Sequence, residues 1–291
     1  MCRLFGMSAG RERVKATFWL LEAPDSLARQ SRREPDGTGL GTFTAEGTPR
    51  VQKQPLAAYE DEEFGREARE VQSRTFVAHV RYASTGELTM QNTHPFEQEG
   101  RLFAHNGVIG GLAQLDEELG DARELVAGET DSERFFALIT KETAETNDVA
   151  EGITRAATWI ADTLPVFALN LVLITDTDLF ALRYPDTHEL HVLDRVRGGP
   201  HGARHLEHAS ARGSIRVRSG DFVRAPAVIV ATETMDEDPG WRELGSGELL
   251  HVDGDLKTTT TKIIDRPPRH PLTLEDLDAR AAASQQPERN G

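Results

Sequence analysis

Cys2 is the single cysteine of this 291-residue chain and stands directly after Met1. If Met1 is removed, the thiol shares its residue with an α-amino group whose ordinary pKa is about 7.7–8.0. Enough of that amine is neutral near pH 7 to take the thiol proton, directly or through a water, without a separate histidine. Read alone, an incidental thiol is the plainer account, because flanking context is what activates a cysteine. A lone cysteine does exclude an intrachain disulfide and any multi-cysteine zinc or iron–sulfur site.

Three further motifs offer complementary chemistry. His79-Val-Arg-Tyr-Ala-Ser-Thr-Gly86 runs from a strand-like stretch into a hydroxyl-rich turn. Its Arg81 presents a planar fork that can hold a carboxylate through two parallel hydrogen bonds, although a structural ion pair would use it as well. Leu102-Phe-Ala-His-Asn-Gly107 ends in an Asn-Gly pair. Such a pair ordinarily marks a turn, yet the Asn106 amide and the Gly107 N–H can also aim at one developing oxyanion. His94 and His105 are expected to hold this turn by hydrogen bonds. In Gly128-Glu-Thr-Asp-Ser-Glu133, Asp131 falls in the first turn of a helix. The helix dipole favours an acid there for purely structural reasons, and the same acid can receive an ammonium.

Glutamine, or any γ-glutamyl compound, needs an anion receptor, an ammonium receptor, a nucleophile and an oxyanion hole. Arg81, Asp131, Cys2 and Asn106 with Gly107 are one of each. With these residues in this order the chain resembles the class II glutamine amidotransferases, the group that includes the glutaminase domains of glucosamine-6-phosphate synthase and PRPP amidotransferase. It looks most like their short, free-standing bacterial members, the YafJ-like proteins, and less closely like the ergothioneine-pathway amidohydrolase. Met1–Ala9, Asp36–Gly39, His79–Gly86, Asn92–Phe96, Ala104–Gly107, Gly128–Glu133 and Val228–Trp241 carry the resemblance. It implies an α+β fold, a four-layer αββα N-terminal-nucleophile sandwich of two antiparallel sheets between helices. It also implies Cys2 as nucleophile, Asn106 and Gly107 as oxyanion hole, and Arg81, Ser84 and Asp131 as substrate-binding residues. Short members often read Asp-Gly-Trp-Gly where this chain has Thr38 in place of the tryptophan.

The elements that must position these groups are partly readable. Strands are predicted at Arg74–Ala83, Arg101–Asn106, Pro165–Thr175, Asp178–Tyr184, Glu189–Leu193, Ala227–Thr232 and Glu248–Val252, from β-branched and aromatic runs bounded by turn residues. Asp176-Thr-Asp178 reads as a hairpin turn. Thr130 and Glu133 have capping-box spacing ahead of a helix whose apolar face is Phe135, Phe136, Leu138 and Ile139. A second helix is predicted from Asp148 to the stop at Pro165, and a short charged one within Glu60–Gln72. One domain over residues 1–264 is expected, followed by a mobile tail over 265–291 with a helical turn near Leu274–Ala281.

Composition narrows the function classes. The net charge of −15, from 33 basic and 48 acidic side chains, repels phosphate backbones and anionic lipid, so neither nucleic acid nor membrane is an expected partner. Without a signal-peptide pattern or a span-length apolar run, the expected location is cytoplasmic. No cofactor or metal is called for: the ten histidines show no His-Glu-x-x-His spacing, and Gly37-x-Gly-x-Gly41 lacks dinucleotide spacing. The expected reaction is hydrolysis of the side-chain amide of glutamine or a γ-glutamyl compound. The rival readings are an ammonia-donating subunit for a separate synthase and a catalytically silent binding module of the same fold.

Overall fold

The computed structural model describes residues 2–32, 36–81, 87–195 and 226–285, and the backbone of 206–209 and 216–219. Fourteen of its strands form two sheets. The first contains β1 (Arg3–Ser8), β2 (Gly37–Phe43), β3 (Pro49–Gln54), β4 (Thr75–Arg81), β9 (His191–Arg195), β12 (Ala227–Ala231) and β13 (Trp241–Glu243), in the order β13-β9-β12-β1-β4-β2-β3. The second contains β5 (Phe96–Gln98), β6 (Arg101–Ile109), β7 (Pro165–Ile174), β8 (Leu179–Arg183), β14 (Glu248–Val252) and β15 (Thr258–Lys262), in the order β15-β14-β8-β7-β6-β5. Pairing is antiparallel except at β16 (His270–Pro271), which runs parallel to β7. A separate ribbon joins β10 (Leu206–Ala209) and β11 (Arg216–Ser219).

Side-chain alternation sorts the apolar residues into layers. In β1, Leu4 points between the sheets with Val77, Val172, Val192 and Val230. Phe5 and Met7 point outward, against Trp19, Leu20, Leu27 of α1 (Leu27–Gln30) and Phe64 of α2 (Glu62–Glu70). On the far side, Leu169, Leu171 and Leu173 of β7 meet Phe135, Ile139, Ile153 and Ile160. Those last residues come from α4 (Asp131–Thr146) and α5 (Val149–Thr163), beside α3 (Leu112–Leu119). Helices, sheet, sheet, helices is the αββα sandwich. Strands buried on both faces show no polar alternation, and for that reason Val166–Ile174 reads as an apolar run interrupted only by Asn170.

Several strands escaped the sequence reading, and β2 shows why. Its Gly37, Gly39 and Gly41 recur every second residue and so share one face. The backbone of His94 and Pro95 lies on that face: a Cβ on Gly39 would stand 2.0 Å from the His94 carbonyl oxygen and 2.8 Å from Pro95 Cδ. Glycine, a poor strand former by propensity, is required here by space. Gly39→Ala is therefore expected to destabilise the protein by about 3 kcal/mol, the upper end for overpacking. An unchanged midpoint in denaturant unfolding would refute that contact.

The helix predictions at Asp148 and within Glu60–Gln72 match α5 and α2, capped by Asp148 and Asp61. The capping box at α4 is only half made. Thr130 Oγ1 accepts from Glu133 N at 3.2 Å, but the Glu133 carboxylate takes the Ala127 and Gly128 amides at 3.2 and 2.7 Å. It therefore ties down the loop before the helix.

A second departure concerns the end of the chain. Residues 265–285 were expected as part of a mobile tail, but they pack against the body. Leu272, Leu274 and Leu277 cover Val108, Phe167 and Ala168, and Leu272 N donates to Val166 O at 2.8 Å. The helix α6 (Ala279–Gln285) buries Ala281, Ser284 and Gln285. The three leucines at 272, 274 and 277 are too sparse to read as an amphipathic pattern, yet they suffice to cover one small apolar patch.

Candidate functional site

Cys2 lies at the head of β1. Arg3 of β1 is opposite Val80 of β4, so Cys2 comes level with Arg81, which also pairs with Gly37 of β2. The nucleophile candidate and the guanidinium candidate thus leave the same end of neighbouring strands. From the facing sheet, Asn106 Nδ2 donates to the Cys2 carbonyl at 3.2 Å, and both residues are buried. The Asn106 Oδ1 accepts no hydrogen bond among the described residues.

Asn106 and Gly107 do not form a turn; they lie inside β6, opposite Asn170 and Leu169 of β7. Glycine is again a matter of space. A Cβ at 107 would fall 1.9 Å from the Ala168 carbonyl oxygen and 2.8 Å from His105 Nε2. Two residues on, Ile109 N donates away from β7, to Asp131 Oδ2 at 2.9 Å. The β6–β7 register shifts between Val108 and Ile109, which turns the Ile109 amide to this partner.

Asp131 is buried in the first turn of α4. Its Oδ2 takes the Ile109 amide and its Oδ1 the Ser132 amide, each at 2.9 Å. The structural role expected from helix position is therefore real; Oδ1 also faces the Ser132 hydroxyl at 3.4 Å, while Oδ2 has the Ile109 amide as its one donor among the described residues. Arg81 is buried and its Nη1 donates to Glu87 O at 3.3 Å. Burial is the main influence lowering the proton affinity of its guanidinium. The charges of Cys2, Asp36 and Asp131 oppose that effect, and Arg280 adds to it. Three candidates, Cys2, Arg81 and Asp131, therefore share one electrostatic neighbourhood, and Asn106 joins them through its bond to the Cys2 carbonyl. Ser84 lies within 82–86, outside the described residues.

The loops around the site are stitched together by a residue that sequence reasoning quoted but gave no task. Asn92 Nδ2 donates to Glu87 O at 3.2 Å, the carbonyl that Arg81 also uses, and to Glu129 Oε2 at 3.2 Å. Its Oδ1 accepts from Glu129 N at 2.9 Å. One amide thus joins three motifs, a role with no local sequence signal. Thr38, the departure from the tryptophan pattern, is buried in β2 opposite Val80 and Gln54.

Three buried histidines, His79, His94 and His105, lie near one another. His105 does hydrogen-bond, though to a strand and a helix and not to a turn: Nε2 donates to Ala168 O at 3.1 Å and Nδ1 accepts from Ser132 Oγ at 2.9 Å. His94 does not. Neither its ring nitrogens nor those of His79 meet hydrogen-bonding geometry among the described residues. Its ring packs instead on His79 and Phe96, at centroid distances of 4.2 and 4.6 Å. Burial, and then the Arg81 charge, push His79 down to about 3, although the nearby His105 backbone slightly favours its charged form. Burial and the neighbouring histidines hold His94 well below the usual imidazole value.

Both rings must be neutral in the folded state, while the unfolded chain protonates them near pH 6.5. The unfolded state then binds more protons below pH 6.5, so stability is complete above that value and falls as pH drops toward 3. The expected loss is about 1.4 kcal/mol per pH unit for each histidine. Urea unfolding at pH 7 and 5 measures it, and equal stabilities would contradict the burial of uncharged rings.

Across residues 1–273 the chain matches the family model of glutamine amidotransferases class-II. It is 31% identical over 261 residues to an uncharacterised protein of Methanocaldococcus jannaschii, covering 86% of this chain and 68% of that one. It is 28% identical over 262 residues to YafJ of Escherichia coli K12, covering 85% and 96%. With the glutamine–fructose-6-phosphate aminotransferase of Bradyrhizobium diazoefficiens it shares 30% identity over 179 residues, 62% of this chain but only 28% of that protein. Among solved structures, the PRPP amidotransferase of B. subtilis superposes with a TM-score of 0.63 at 19% identity, over 91% of this chain and 50% of that one. A class-II domain protein of Silicibacter pomeroyi gives 0.58 at 20%, over 91% and 100%. The likeness to these two structures is one of fold. Family match, fold and motif order agree, and the chain belongs to the class-II glutamine amidotransferases.

Proposed function

We propose that this chain hydrolyses the side-chain amide of glutamine or of a γ-glutamyl compound, with Cys2 as an N-terminal nucleophile. The observation that carries this reading is the meeting of Cys2 with the Asn106-Gly107 pair across the two sheets, through the 3.2 Å bond from Asn106 Nδ2 to the Cys2 carbonyl. Once Met1 is removed, the new α-amine takes the thiol proton and the sulfur attacks the amide carbon. The Asn106 amide and the Gly107 N–H receive the oxyanion. The protonated amine returns its proton to the departing ammonia or amine, and water then cleaves the thioester to release glutamate. Arg81 holds the substrate carboxylate and Asp131 its ammonium; Ser84, outside the described residues, is assigned to substrate binding by the family resemblance alone.

Asp131 suits its part because the Ile109 and Ser132 amides fix its orientation before substrate arrives. Preorganised groups of this kind need no rearrangement at the moment of reaction.

Intact mass of the purified protein, followed by ammonia release from glutamine and amine release from γ-glutamyl amides, tests the reading. Loss of the Met1 mass together with turnover of at least one of these substrates is expected. A retained Met1 with no turnover would defeat it. Turnover appearing only when a synthase is added would favour the ammonia-donating subunit.

A further inference from the structure

Two loops meet beside the site, and one buried side chain joins them. The first, residues 87–93, follows Arg81; the second, residues 126–130, leads into Asp131 and α4. They touch closely: a Cβ on Gly128 would stand 2.6 Å from Asn92 Oδ1 and 3.2 Å from Gln91 O. The first loop also lies against the strand ends, since a Cβ on Gly37 would fall 3.3 Å from Thr93 Cγ2 and 3.5 Å from Arg81 Cβ. Each loop is tied internally. Thr93 Oγ1 donates to Thr89 O at 2.7 Å in the first, and Glu133 takes the Ala127 and Gly128 amides in the second. Among the described residues, the hydrogen bonds that cross between the loops are those of Asn92 with Glu129 and one from Glu87 N to Glu129 Oε2 at 3.4 Å. Asn92 is 2% exposed, and both its Nδ2 protons and its Oδ1 are engaged. A buried polar group satisfied in this way fixes its surroundings in one arrangement.

We infer that Asn92 is a positioning residue that sets the spacing between Arg81 and Asp131, and so makes the site selective for ligands carrying both charged ends of a free α-amino acid head. The inference rests on the proposed function and deepens it. Arg81 Nη1 and Asn92 Nδ2 converge on one acceptor, Glu87 O, at 3.3 and 3.2 Å. On the other arm, Asn92 Oδ1 accepts from Glu129 N at 2.9 Å, and Asp131 follows two residues later with its carboxylate held by the Ile109 and Ser132 amides. Asn92 thus reaches one receptor through a single carbonyl and the other through two residues of backbone. An α-amino acid head holds its carboxylate and ammonium on one carbon. Both are gripped together only when the two receptors stand at a fixed separation, whereas a ligand with one charged end can follow a receptor that has moved.

Asn92→Ala removes all three bonds, and Glu129→Ala only the two made to its exposed carboxylate. With Asn92→Ala, KM for glutamine and the dissociation constant for L-glutamate should each rise about 10-fold, the size of one lost hydrogen bond, while kcat changes by less than about 3-fold. Glutarate, which lacks the ammonium, and 4-aminobutyrate, which lacks the α-carboxylate, should weaken by less than about 2-fold, because the loss is a coupling between the two ends. Glu129→Ala should weaken L-glutamate by about 3-fold with the same selectivity, and Glu129→Gln, whose amide oxygen still accepts, should recover most of that. If Asn92→Ala fails to fold, the surface variant Glu129→Ala decides by the same comparison. Equal weakening toward all three ligands, or none toward L-glutamate in a folded variant, would overturn the assignment while wild-type turnover left the proposed function standing. A wild-type protein that neither turns over a γ-glutamyl amide nor binds L-glutamate would remove both together.

Discussion

Cys2→Ala is expected to reduce ammonia or amine release by on the order of 10⁶-fold, the loss seen when a covalent nucleophile is removed from an enzyme that depends on one. The substitution is a clean one. Cys2 is buried at the head of β1, alanine leaves the backbone bond from Asn106 in place, and β1 keeps its partners β4 and β12. Alanine also permits removal of Met1, so the amine remains while the sulfur is gone. A variant that folds as wild type, binds L-glutamate and no longer turns over would assign the chemistry to the thiol. Release at the wild-type rate would refute the mechanism outright.

Asn106→Ala is expected to lower kcat by about 10²–10³-fold, or roughly 2.7–4 kcal/mol of transition-state stabilisation, with little change in KM. The structure frames a sharp contrast. If Asn106 served only to tie the Cys2 carbonyl, its loss would remove one buried hydrogen bond and cost about 1 kcal/mol of stability. A falling unfolding midpoint with an unchanged kcat would support that structural role, and a large fall in kcat the oxyanion role. The two measurements belong on the same sample.

Much of the chemistry was legible because it is local. Arg81 stands at a strand end, Asp131 in a helix's first turn, and Asn106 next to Gly107, and motif order linked them to one ligand. The elements that read well did so for local reasons too. Asp148 announces its helix at the residue that caps it, and Asp176-Thr-Asp178 joins two apolar runs, where β7 and β8 indeed pair. What read poorly depends on surfaces met only in three dimensions. β1 and β2 carry glycines: Gly6 faces Val172 and Gly39 faces His94, contacts from far along the chain that propensity does not anticipate. Sequence alone leads one to expect hydrogen bonds from His94, but the ring beside it is His79, brought there by β4.

By its sequence alone this protein determined its candidate reacting groups, since a thiol, a guanidinium, a carboxylate and an Asn-Gly pair keep their chemistry wherever the chain goes. It also determined its helix starts, whose caps act within three residues. Only the tertiary structure decided that Gly107 is glycine for room, that Glu133 fastens a loop in preference to closing a capping box, and that residues 265–285 pack over Val108, Phe167 and Ala168. Each of those outcomes turns on close packing between segments distant in sequence, where a clash or a covered apolar patch outweighs the small local preferences a sequence displays.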